Sequence, residues 1–162
     1  MSRLCLVVVL VAALSAVLAP ARPAGGSRPC EPIKGTVDAQ LQTGVGEIVL
    51  RGLVEATIGG VPVTGSIVTR LSTPIQGIDS VDNPEPTAGG SDAEVEDLEK
   101  RERTTFATAD SGLFVPTPQP NLFLVVVHAE VTGPAFGEIH YQGAVDLRTA
   151  SAAWDISGAL CF

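Results

Sequence analysis

The chain has 162 residues, with 18 acidic side chains against 10 basic ones and an aromatic complement of five Phe, one Tyr and one Trp. A single domain's length leaves no room for two enzyme lobes around a cleft. The formal charge of −8 argues against nucleic acid and anionic membrane partners, both of which select clustered Lys and Arg.

In chain order, Arg3, the apolar run from Leu4 to Leu18 and the sequence Ala19-Pro20-Ala21 have the basic, apolar and small-residue parts of a secretory signal peptide. The run is short for a membrane span, which takes about 20 residues. Cleavage is expected after Ala21, because a cut after Ala19 would leave Pro20 as the first residue; an uncleaved anchor is the alternative. Loss of residues 1–21 removes one base, Arg3, and no acid, so −8 becomes −9. The expected product is secreted, acidic and free of the membrane. Residues 22–32, with Pro23, Gly25, Gly26, Pro29 and Pro32, read as a flexible leader.

Cys5 would leave with the signal, and the remaining Cys30 and Cys161 are expected to pair as a disulfide, the usual state of two thiols in an exported chain. Their separation of 131 residues makes the loop long, and in the chain-entropy model such a bond stabilises a fold by about 4–5 kcal/mol. Neither cysteine has the neighbouring Cys or His that a metal or catalytic thiol would want.

A period of two begins near residue 34. Between Glu47 and Gly59 the even positions Ile48, Leu50, Gly52, Val54, Ala56 and Ile58 oppose Glu47, Arg51, Glu55 and Thr57, the pattern of a half-buried strand. Val61, Val63, Gly65, Ile67 and Leu71 repeat it, and Gly59-Gly60 between the two runs predicts a hairpin over 47–72. A short strand is expected near 104–109. Three more runs follow as a meander: 121–132 ending at Gly133-Pro134, 137–148, and 152–160 after a turn at 149–151. Together with 34–42 these make seven strands with no intervening amphipathic helix. The expected fold is all-β, an antiparallel seven- to eight-stranded β-barrel formed by residues 33–162. Inward glycines at 52, 65, 143 and 158 favour a barrel over a sandwich, since they relieve crowding at sharp strand bends.

Residues 79–103 break the pattern, with nine acids against three bases. Pro84, Pro86 and Gly89-Gly90 suggest a loop, while 92–102 reads as a short surface helix, an edge strand or a disordered stretch. The segment is expected to be a mobile acidic excursion. It lacks the spacing of a Ca²⁺ loop and reads as a solvated charge run.

Signatures of common enzymes are absent: there is no Gly-x-Ser-x-Gly, no phosphate loop and no His-Glu-x-x-His. The two histidines, His128 and His140, offer one geometric test. If 121–132 and 137–148 pair with their apolar faces aligned and partner numbers summing to 268, His128 opposes His140 and Glu130 opposes Glu138, all on the outer face. Two imidazoles and two carboxylates at such positions suit a surface Zn²⁺ or Cu²⁺ ion. The plainer reading is the solvated outer wall of a barrel, and a sum of 270 would disperse the group. No other cofactor is indicated. Phe123, Tyr141 and Trp154 fall on inward faces, as core or as the lining of a ligand cavity.

The stretch Thr104-Thr-Phe-Ala-Thr-Ala-Asp-Ser-Gly112, then Gly143-Ala-Val-Asp-Leu-Arg-Thr-Ala150 and the ending Trp154-Asp-Ile-Ser-Gly-Ala-Leu-Cys161 resemble secreted bacterial β-barrel proteins of the allene oxide cyclase and dirigent kind, a calycin-like architecture. The resemblance implies eight strands, the eighth near 92–99, and a dimeric or trimeric homo-oligomer. A turn shortened to Gly133-Pro-Ala-Phe-Gly137 departs from the pattern, and no cyclase residue carries over position by position. The inward positions are almost all apolar or Gly. The functional expectation is therefore a non-enzymatic secreted binder of a small apolar ligand or surface partner, with a cyclase-like isomerase acting on a hydrophobic substrate as the alternative.

Overall fold

The computed structural model describes residues 29–44, 46–72 and 82–162; the expected signal peptide, most of the leader and the first residues of the acidic segment lie outside them. Eight strands run in order: β1 (Cys30–Gly44), β2 (Glu47–Ile58), β3 (Val61–Ser72), β4 (Glu85–Asp97), β5 (Arg103–Pro116), β6 (Leu122–Gly133), β7 (Phe136–Asp146) and β8 (Ser151–Cys161). Each pairs antiparallel with its neighbours, and β1 pairs with β8, so the sheet closes into an eight-stranded barrel. Closure removes the open edges that would otherwise template aggregation.

The alternation read from the sequence is the inside–outside alternation of the wall. Ile48, Leu50, Val54, Ala56 and Ile58 of β2 are buried while Glu47, Arg51, Glu55 and Thr57 are exposed. Gly59 and Gly60 both have positive φ, 60° and 87°, and form the two-residue turn joining Ile58 to its partner Val61. The inward glycines act as expected. A Cβ on Gly65 would lie 1.9 Å from the Glu94 carbonyl oxygen, and one on Gly143 would lie 2.0 Å from that of Ala153. At these bends the strands coil so closely that only hydrogen fits between them.

The Cys30–Cys161 disulfide is present, between directly opposed residues of β1 and β8, with Cα atoms 4.0 Å apart. It clasps the first strand to the last at one rim of the barrel. Residues 30–32, expected in the leader, are therefore strand, because pairing with β8 absorbs their backbone groups.

The acidic segment is also corrected. Rather than leaving the barrel as an excursion, it supplies β4, an internal strand paired with β3 from Val63↔Asp97 to Leu71↔Gly89 and with β5 from Glu85↔Phe114 to Glu96↔Arg103. Asp92, Glu94 and Glu96 face outward and meet cations: Arg70 with Asp92 at 3.6 Å, Arg103 with Glu94 at 3.1 Å, and Arg101 and Arg103 with Glu96 at 3.1 and 3.4 Å. These pairs are largely open to solvent, so each contributes little to stability by itself. They explain how a strand so acidic is tolerated in a sheet. The short strand expected near 104–109 is the first half of the longer β5.

Candidate functional site

The inward face is not uniformly apolar, contrary to the sequence expectation. Thr69, Thr87, Ser91, Thr108 and Asp110 are all buried, and every one of them lies on β3, β4 or β5. Thr69 opposes Ser91, and Ser91 opposes Thr108, across adjacent strands.

The register places their polar atoms in one network. The Ser91 hydroxyl donates to Asp110 Oδ2 at 2.7 Å, and the Thr108 hydroxyl donates to Asp110 Oδ1. Thr108 Oγ1 in turn accepts the Ser91 backbone N–H at 3.1 Å. Having committed its one proton to Asp110, Ser91 Oγ can only accept from Thr69 Oγ1, 2.9 Å away. The Tyr141 hydroxyl, arriving from β7, reaches the same Ser91 side chain. One serine thus links a phenol to a carboxyl group inside the barrel.

Burial raises the Asp110 pKa above the ordinary carboxylate range, and the hydrogen bonds from Thr108 and Ser91 only partly offset it. Burial likewise raises the Tyr141 phenol, the charge on Asp110 adds to that, and the contact with Ser91 opposes it. Trp154 packs edge-on against Tyr141 with ring centroids 5.9 Å apart. It is only 4% exposed, and its Nε1–H reaches no acceptor among the described residues. A buried indole donor without a partner is costly in a well-packed interior.

Phe123, Tyr141 and Trp154, the expected lining residues, all point inward and are buried. Tyr141 and Trp154 form the ring pair, whereas Phe123 lies on β6 opposite Pro116 and Val145. On the outer wall a depression of about 390 Å³ lies around Gly89 and Gly90, where β4 presents no side chains; Ser91 and Thr108 of the polar network border it.

Sequence reasoning missed Asp110, Ser91, Thr108 and Thr69 because it looked for apolar inward stripes. On β5 the outward positions Ala107 and Ala109 are less polar than the inward Thr108 and Asp110. A usable signal was the even spacing of Phe106 and Phe114, which puts positions 108, 110 and 112 on their face.

The second grouping lies on the outside. The register sum of 268 holds: His128 opposes His140 and Glu130 opposes Glu138. The two imidazole centroids are 5.0 Å apart. The ligand atoms of His128, Glu138 and His140 lie within 4.8 Å of one another, and Glu130 stands outside that triangle. All three members are exposed.

Compared with protein-family models, with curated proteins and with solved structures, the chain finds no match.

Proposed function

We propose that this protein is a secreted barrel whose interior receives a small, largely apolar molecule carrying one hydrogen-bond acceptor. The observation that carries the reading is Trp154 Nε1, a donor sealed inside the barrel beside Tyr141 with no acceptor among the described residues. Around it the wall is aliphatic and aromatic, and on the facing side a single polar network ends in Asp110. Mostly apolar walls with a few converging polar groups are what orient a small ligand. The disulfide is compatible with an extracellular protein, and the signal-like N-terminus, cleaved after Ala21, supplies the export route.

Trp154 is the chain's one tryptophan, so its fluorescence reports on the interior alone. Titration with dodecanoic acid is expected to shift and saturate that emission. Native mass spectrometry of the purified chain is expected to show a retained non-covalent adduct. An unchanged emission together with a bare mass would sink the reading.

A cyclase-like isomerase is the second reading, favoured by the polar network and in keeping with the resemblance to allene oxide cyclase barrels. A buried carboxyl of raised pKa, wired through Ser91 to a phenol, is equipped to hold and pass a proton. If this reading holds, the bound molecule is released as an isomer by the native chain and unaltered by Asp110→Asn. Unaltered release by both leaves the binding role alone.

A further inference from the structure

We propose that His128, His140 and Glu138 form a binding site for a divalent transition-metal ion, Zn²⁺ or Cu²⁺, on the outer wall of the barrel. The chain has only two histidines, and the fold sets them directly opposite one another on β6 and β7. Glu138 lies two residues from His140 on the same face, which completes a group of two imidazoles and one carboxylate.

Donors sharing one tetrahedral ion at 2.0–2.1 Å sit about 3.3 Å apart. The present spread, within 4.8 Å, closes by side-chain rotation alone, which exposed residues can make without moving the backbone. The flanking strands leave room for it: Ser111 and Ser157 lie beside the histidines, and Ala109 and Ala159 beside the glutamates.

Electrostatics point the same way. Glu130 and Glu138 are directly opposed like charges, an arrangement that destabilises a sheet. Among the described residues neither carboxylate makes an ion pair. A divalent ion at the triangle relieves that repulsion, with Glu130 adding charge from just outside. The mixed nitrogen and oxygen donor set selects Cu²⁺ over Zn²⁺ and both over Mg²⁺. Three protein ligands leave a position open to solvent.

The test uses the full disulfide-bonded chain, prepared without a histidine tag. Calorimetric titration with Zn²⁺ and with Cu²⁺ is expected to give one site, tighter for Cu²⁺, and Mg²⁺ to give none. Substoichiometric Cu²⁺ should broaden the imidazole proton resonances of both histidines together. His140→Ala and Glu138→Gln should each weaken Zn²⁺ binding by at least ~10-fold, the loss typical even of a ligand's supporting contact. Glu130→Gln should weaken it less. Metal-free melting curves of the variants check that each is folded. Equal Zn²⁺ affinity in the native chain and in the folded double variant His128→Ala/His140→Ala would overturn the proposal, as would broadening of neither imidazole.

Discussion

The two sides of the barrel interior are built on different chemistry. Among the described residues, every buried inward position on β1, β2, β6 and β8 is hydrophobic, from Val37 and Leu50 to Val125 and Ile156. On β3, β4 and β5 the same inward rows carry Thr69, Thr87, Ser91, Thr108 and Asp110. The apolar side gains its stability from area removed from water and from close packing. The polar side gains little net free energy from its hydrogen bonds, but leaving any one of them unmade is expensive. A wall of the second kind is a liability in a structure that only needs to hold together. Its presence opposite Tyr141 and Trp154 is what supports the proposed ligand site in this region.

The contrast yields predictions of graded size. Leu50, on the apolar side and 1% exposed, should show the largest effect: Leu50→Ala is expected to cost about 2–5 kcal/mol in urea unfolding, from lost burial and a residual cavity. Gly65→Ala tests the wall's geometry, because the new Cβ would meet the Glu94 carbonyl oxygen. A penalty of about 1–3 kcal/mol is expected from overpacking, and an unaffected midpoint would show that the strands can separate freely there. Asp110→Ala strands the Ser91 and Thr108 donors and should cost about 1–3 kcal/mol.

Asp110→Asn sharpens the comparison through pH. The folded-state pKa of Asp110 is raised, so its favourable contribution is complete below the unfolded pKa and is lost as pH rises through the folded one. Unfolding curves from acid to neutral pH should therefore show the Asn variant gaining on the native chain as pH increases. A gain toward acid pH instead would mean that the hydrogen bonds, not burial, control this carboxyl group. Asp146, paired with Arg148, is lowered and acts in the opposite sense, its stabilisation fading as pH falls. The smallest effect is expected outside: Leu124, on the exposed face of β6, should tolerate Ser within about 0.5 kcal/mol.

Legibility followed the contrast between inward and outward side chains. Where a continuous apolar row alternates with a more polar one, as in β2, strand and face could be read; in β6 the inward row was as clear, but the register opposing His128 and His140 was one of two that the sequence allowed. In β4 the inward row is Thr87, Gly89, Ser91, Ala93 and Val95, too small and polar to announce burial, and the outward carboxylates dominated the reading. The polar network was hidden for the same reason.

By itself the sequence determined the all-β class, the hairpins, the cysteine pair and the parity that puts the two histidines on one face; the structure chose the register that sets them opposite each other. Each of these depends on neighbours along the chain or on a period of two, and both are local. Only the tertiary structure decided that eight strands close on themselves, that the acidic segment is one of them, and that Tyr141 reaches Ser91 and Asp110. Those contacts depend on the coil and closure of the whole sheet, which bring residues of β4, β5 and β7 together around a common interior.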